Sequence, residues 1–153
     1  MIGSNNDVTT LNSLVATTID SINGYQESAD AVENAQFREL FQELARDRQQ
    51  VLPQLQAAVA RLGGAPEDDG TTLAAAHRTL VDLKSAITGR DDKAVINEVE
   101  RGEDHIKHKY EAALNDGALS AEARQVVQQA YESVRRGHDR VRDLKHALEG
   151  TNA

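Results

Sequence analysis

The sequence contains no cysteine and no tryptophan, and aromatic residues make up only 3% of its 153 residues. Without cysteine, the chain forms no disulfide, no thiolate zinc site and no cysteine nucleophile. A cysteine-free chain suits a reducing compartment, and we expect a cytoplasmic location. Proline is also scarce, with only Pro53 and Pro66. The apolar residues are mainly Ala, Leu and Val, a composition that favours closely packed helices over a sandwich with aromatic layers.

The chain also lacks a basic N-terminal segment, a long apolar run and a net positive charge. Its first basic residue is Arg38, so the N-terminus does not resemble a signal peptide. No apolar stretch approaches the length of a membrane span, and we expect no integral membrane contact. The formal net charge is −8 at pH 7, whereas sequence-independent nucleic-acid binders are usually basic. Even in the most basic stretch, residues 135–142, Asp139 lies among the arginines, and helical spacing scatters these around the helix, so we expect no nucleic-acid binding.

Apolar residues recur at steps of three and four along five segments, which is the pattern of amphipathic helices. The predicted helices span about residues 7–34, 36–62, 71–88, 92–115 and 120–148, within one domain covering residues 1–153. Residues 1–6 are predicted to be a short disordered lead. Ser120 is typical of a helix N-cap, and Gly63-Gly64 is typical of a helix end. Pro53 predicts a kink or a local break in the second helix.

The lengths of the connections predict how the helices are arranged. The turns between the first and second helices and between the fourth and fifth are short, so each pair should form an antiparallel hairpin. The shorter third helix then carries the chain back along the bundle, and the second helix runs parallel to the fourth. The predicted fold is therefore all-α. It is a four-helix bundle of two antiparallel hairpins with an additional short crossover helix, which is the connectivity of ferritin-like folds.

A resemblance to a known family is carried by five stretches, Leu11–Leu14, His77–Arg78, Asp82–Ala86, Glu98–Asp104 and His138–Leu144. Together they resemble a family of small bacterial four-helix-bundle proteins of unknown function that is grouped with the ferritin-like superfamily. The resemblance covers nearly the whole chain and implies a fold more than an activity. It also implies a bacterial source and a stress or stationary-phase setting. The proline within the second helix departs from the family's pattern.

Ferritin-like proteins often hold two metal ions, with a Glu from each of two helices and a Glu-x-x-His pair from each of the other two. The second helix contains no Glu-x-x-His pair and instead places Arg48 at the centre of its apolar stripe, where a cation repels metals. The remaining candidates for an iron or manganese site are Glu100, Glu103 and His138. Because the full ligand set is missing, we expect no bound cofactor.

A structural ion pair is the main interpretation of the same core positions. Arg48 lies about as far from the start of the second helix as Glu103 lies from the start of the fourth, and these helices should begin at the same end. We therefore predict a buried or half-buried ion pair between Arg48 and Glu103. We expect His138 to join it by a hydrogen bond, and Tyr25 or Tyr110 to supply a hydroxyl. The alternative is that these side chains are exposed to solvent.

No phosphate loop, Rossmann glycine pattern or HExxH motif is present. The leading hypothesis is a non-enzymatic helical protein that binds a protein partner or associates with itself, for example as a homodimer. One alternative is a degenerate iron- or manganese-binding oxidative-stress protein that uses Glu100, Glu103 and His138. A second alternative is an amphipathic coat for lipid or polymer granules, which the long helices rich in Ala and Gln suggest.

Overall fold

The computed structural model describes residues 2–68 and 92–151, and over these ranges the chain forms four α-helices and no strand. The helices are α1 (Ile2–Ala31), α2 (Ala35–Arg61), α3 (Asp92–Leu114) and α4 (Ala121–Thr151). The all-helical class and the four-helix bundle are thus confirmed over these residues. The predicted third helix, residues 71–88, lies outside the described residues, so α3 and α4 correspond to the predicted fourth and fifth helices. None of the four is long and apolar enough to cross a membrane.

The start of α1 differs from the prediction, because the helix begins at Ile2 where a disordered lead was expected. The buried side chain of Asp7 gives the physical reason. Its carboxylate accepts a hydrogen bond from the Ser120 backbone N–H at 2.9 Å, and this bond fixes the beginning of α1 against the beginning of α4. The contact holds α1 in place from Asp7 onward.

A kink or a local break was predicted at Pro53; the break is wrong, because α2 runs through this residue without interruption. Pro53 is exposed, while its neighbours Val51 and Leu55 are buried at 7% and 0% exposure. The packing of this apolar face outweighs the backbone hydrogen bond that the proline removes. The helix ends just before Gly63, whose φ of 85° lies in the left-handed region that favours glycine.

Hydrogen bonds at the helix ends establish the directions of the four helices. Asp92, the first residue of α3, accepts bonds from the backbone N–H groups of Glu33 and Asn34 in the α1–α2 turn, at 3.0 and 3.1 Å. Helices α2 and α3 therefore begin at the same end of the bundle and run parallel. The bond between Asp7 and Ser120 shows in the same way that α1 and α4 begin together at the other end. Within the described ranges, the helices thus form two antiparallel hairpins, α1–α2 and α3–α4.

The Asp92 contact gives a first testable prediction. We expect Asp92→Ala to lower the free energy of unfolding by about 1–2 kcal/mol, because it leaves two backbone donors without their charged acceptor. Urea denaturation of the full chain measures this loss. The exposed Asn97 lies in the same helix, and Asn97→Ala should have almost no effect. Equal losses for the two variants would show that the contact does not hold α3 to the α1–α2 turn.

The helices pack as a square in which α1 and α4 each contact both α2 and α3. Their buried apolar residues form two separate clusters. The Leu55 cluster, near the start of α1, contains Leu11, Leu14, Val15, Val51, Leu55, Ala58, Val59, Ile106, Tyr110, Ala113, Leu119, Ala123, Val127, Ala130 and Val134. The Phe41 cluster, near its end, contains Tyr25, Ala29, Val32, Phe37, Phe41, Leu44, Ala45, Val95, Ile96, Val99 and Val141. On every helix, one short segment separates the two clusters.

The residues between the clusters form a polar layer across the middle of the bundle. We define this layer as Ser21 of α1, Arg48 of α2, Glu103 of α3 and Gly137 of α4. Arg48 and Glu103 are buried at 0% and 2% exposure. The apolar core is therefore interrupted at this level on α2, α3 and α4, while on α1 Ser21 lies beside the buried Ile22. This level holds the candidate site.

Candidate functional site

The centre of the polar layer is an ion pair between α2 and α3. Nη2 of Arg48 donates a hydrogen bond to Oε2 of Glu103 at 2.8 Å, and the two side chains are 0% and 3% exposed. The ion pair predicted from the sequence is therefore confirmed, and it is fully buried. Removing two charges from water is costly, and their attraction offsets this cost only while both partners remain in place.

Two residues of α1 complete the contacts of the guanidinium. Nη1 of Arg48 donates a hydrogen bond to the Ser21 hydroxyl at 2.6 Å. The guanidinium carbon also lies 5.5 Å from the centre of the Tyr25 ring, within the range of a cation–π interaction. Within the described part of the chain, Nε of Arg48 has no hydrogen-bond partner. The guanidinium is thus held through its two terminal nitrogens and by one aromatic ring.

Gly137 is the contribution of α4 to the site. A Cβ atom at this position would lie 2.6 Å from Nη2 of Arg48 and 3.4 Å from Oε2 of Glu103. The first distance is shorter than van der Waals contact allows. Glycine inside a helix costs roughly 0.5–1 kcal/mol relative to alanine, so it is unfavourable here on backbone grounds alone. The missing side chain leaves the space that the ion pair occupies.

Burial and charge set the protonation of the groups around the pair. Burial lowers the pKa of Arg48, but the charge of Glu103 and its hydrogen bond outweigh this effect, so the net pKa lies above its ordinary value. Burial, reinforced by the negative charge of Glu103, raises the pKa of Tyr25 well above its ordinary value. Burial likewise raises the pKa of Tyr110 to about 12. At neutral pH the layer therefore holds a charged guanidinium beside neutral phenols.

The other members of the predicted network lie close by but do not bond as expected. In the described residues, the Tyr25 hydroxyl is buried without a hydrogen bond of normal geometry, although the side chains of Glu103 and Arg48 lie close enough to it to shift its pKa. The Tyr110 hydroxyl shares a hydrogen bond with the Thr18 hydroxyl at 2.7 Å. Nε2 of His138 lies 2.7 Å from a carboxylate oxygen of Asp104, near the surface between α3 and α4. The hydrogen bonds expected from His138 and from Tyr110 to the ion pair are therefore wrong, and the Tyr25 hydroxyl lies beside the pair without a hydrogen bond of normal geometry.

The candidate metal ligands are held by three different partners. Glu103 binds Arg48, and His138 contacts Asp104. A carboxylate oxygen of Glu100 accepts a hydrogen bond from Nζ of Lys145 at 2.8 Å. Over residues 2–68 and 92–151, no group of three or more side chains is placed to hold a metal ion. The three candidates therefore do not converge on one point in this structure.

The sequence prediction missed Ser21 and Gly137. Gly137 had a detectable signal, because it occupies a stripe position between Val134 and Val141 of a long helix. A glycine at such a position often marks a close approach of another group to the backbone. Ser21 lies at the edge of the apolar stripe of α1, where a small polar residue is common, so it gave no comparable signal.

Comparison with known proteins identifies the family of the chain. Residues 6–116 match the family model described as "Domain of unknown function (DUF2383)". The matched range includes Arg48 and Glu103, whereas Gly137 and His138 follow it in α4. None of the curated proteins compared with the chain matches it. Because the family model covers well over half of the sequence, the chain belongs to the DUF2383 family of domains of unknown function.

Proposed function

We propose that this protein is a non-enzymatic bundle of the ferritin-like kind that acts by binding a protein partner or a second copy of itself. In this proposal the Arg48–Glu103 ion pair takes the position that metal ions hold in ferritin-like proteins. The proposal includes a bacterial, cytoplasmic setting associated with stress, as the sequence resemblance implies. The observation that carries it is the guanidinium at 0% exposure in the centre of the core.

The chemistry of arginine supports a structural role for this centre. A guanidinium is not deprotonated in proteins and only donates hydrogen bonds, so it is neither a metal ligand nor a general base. It also neutralises Glu103, the only buried glutamate among the described residues. A ferritin-type metal centre needs several inward-facing carboxylates. One carboxylate already bonded to a fixed positive charge favours an ion pair over metal chemistry.

The outer faces of the helices support the binding part of the proposal. The four described helices are 23–31 residues long, which corresponds to about 35–47 Å each. Charged residues cover the exposed face of α4, where Arg135 and Arg142 both pair with Asp139. A long surface of this kind suits contact with another protein better than the enclosure of a small substrate.

Metal content is the measurement that tests this proposal. The full chain is expressed without a metal-affinity tag in medium supplemented with iron and manganese, and metals per chain are counted after gel filtration. We expect much less than one metal per chain. One or two tightly held metals would contradict the proposal and favour the iron or manganese alternative. In that case Glu100→Gln and His138→Gln would lose the metal, while the exposed-site control Glu43→Gln would keep it.

Sedimentation of the same preparation tests self-association. A concentration-dependent shift from monomer to dimer would identify a second copy of this chain as the partner. A monomer at every concentration would exclude self-association and leave a different protein as the proposed partner.

A further inference from the structure

The guanidinium of Arg48 is held entirely by helices other than its own. Helix α1 supplies the Ser21 hydroxyl at 2.6 Å and the Tyr25 ring at 5.5 Å. Helix α3 supplies the Glu103 carboxylate at 2.8 Å. Helix α4 supplies the open space at Gly137, where a Cβ would lie 2.6 Å from Nη2. Helices α1, α3 and α4 thus surround one group that α2 carries.

We infer that α1, α3 and α4 together form a binding site for a guanidinium group, and that the Arg48 side chain is its ligand within the chain. This inference rests on the structural role proposed for the ion pair and adds the chemical class that the site recognises. Its parts match a guanidinium: a carboxylate for its charge, a hydroxyl as second acceptor, an aromatic ring and a backbone without a Cβ.

The same contacts explain why a different cation fits poorly. The planar guanidinium carries donors on separate nitrogens, so it reaches Ser21 and Glu103 at the same time. An ammonium group concentrates its charge on one nitrogen and is more strongly hydrated. The contact with Gly137 is also made by Nη2, an atom that lysine lacks. The site therefore selects the guanidinium shape as well as a positive charge.

Chemical rescue of the full-length Arg48→Ala variant tests this inference. The substitution removes the atoms of an N-ethylguanidinium ion, so this ion is the matched probe. It is added at millimolar concentration, far below the molar range in which guanidinium salts unfold proteins. A ligand that binds only the folded state raises Tm as its concentration rises. We expect the Tm of Arg48→Ala to rise by about 2–4 °C near ligand saturation.

Three comparisons make the rescue specific. Propylammonium has the same charge without the planar group, and it should raise the Tm of Arg48→Ala much less. The unmodified protein should not respond, because its site is already filled. Arg48→Ala/Glu103→Gln should also not respond, because it lacks the carboxylate. The inference would be overturned if N-ethylguanidinium and propylammonium changed the Tm of Arg48→Ala equally, including no change with either ion. It would also be overturned if N-ethylguanidinium changed the Tm of the unmodified protein and of the two variants equally.

A second experiment applies even if Arg48→Ala does not fold. Gly137→Ala places a methyl group against the guanidinium, so we expect a Tm loss of about 3 °C or more. Gly102→Ala in α3 is the matched control, because its Cβ would meet no atom within 4 Å apart from the adjacent residues and backbone of its own helix. Its Tm should stay the same or rise. Equal responses of the two variants would contradict the inference. Metal bound to the unmodified protein would instead contradict the proposed function, so the two failures are distinguishable.

Discussion

Replacing Glu103 with leucine should lower the free energy of unfolding by about 3–5 kcal/mol, because the guanidinium of Arg48 is left buried without its counter-charge. The arginine cannot lose its proton, and its side chain lies at 0% exposure. Arg48→Met should also destabilise the protein, since it leaves a buried carboxylate unpaired. Urea denaturation is the appropriate measurement, because guanidinium salts contain the group under study.

The double variant Arg48→Met/Glu103→Leu distinguishes the ion pair from general packing. Two apolar residues of similar size leave no buried charge, so most of the loss should be recovered. The exposed pair between Glu43 and Arg140 provides the control, and Arg140→Met should cost less than about 1 kcal/mol. If the losses of the two single core variants simply add in the double variant, the ion pair does not couple α2 to α3.

Tyr110 alone should lower the stability by about 3 kcal/mol as the pH rises from 10 to about 12, because it keeps its proton more tightly when folded. Burial raises its folded-state pKa from 10.0 to about 12. Below pH 10 the phenol is protonated in both states, so the contribution is fully present. Between these two pKa values only the unfolded state loses the proton, and unfolding becomes more favourable. Tyr25 shifts in the same direction and steepens the loss.

Phenolate absorbance provides the measurement, since the chain has three tyrosines and no tryptophan. Tyr131 is the partly exposed one, and it should titrate promptly in the folded protein. Tyr25 and Tyr110 should ionise only as the protein unfolds, which circular dichroism follows independently. Tyr110→Phe should flatten the loss of stability at high pH. Prompt and complete ionisation of all three phenols in folded protein would contradict the burial of the two core tyrosines.

The contrast between Arg48 and His138 shows what the sequence reveals about the site. Arg48 occupies the centre of an apolar stripe, and its distance along α2 matches that of Glu103 along α3. Helical periodicity and the direction of the helices are therefore sufficient to predict that the two meet. His138 lies on the border of its stripe, where a small rotation decides between the core and Asp104. Helical periodicity does not determine the direction of a side chain at such a border position closely enough to identify its hydrogen-bond partner.

The hydroxyl that reaches Arg48 could not be predicted for a related reason. Tyr25 and Tyr110 both belong to buried faces, but the direction of a phenol oxygen depends on side-chain rotamers and local packing. In the structure Tyr110 bonds to Thr18, and the shorter Ser21 bonds to the guanidinium. The break expected at Pro53 failed because a local propensity was weighed without the buried residues on either side. Side-chain packing thus determined both which hydroxyl reaches Arg48 and the continuity of α2 at Pro53.

The polar layer also determines how the helices align lengthwise. Sliding α2 by one turn moves Arg48 by about 5.4 Å, away from Glu103 and into one of the two apolar clusters. For apolar residues such a shift changes the packing but leaves no charge without a partner. A charged group does not tolerate the shift, since it then lies in an apolar environment without its partner. The two apolar clusters thus stabilise the bundle, and the polar layer determines the register of the helices. Bundles with a shifted register would bury a similar apolar area but would leave Arg48 and Glu103 unpaired.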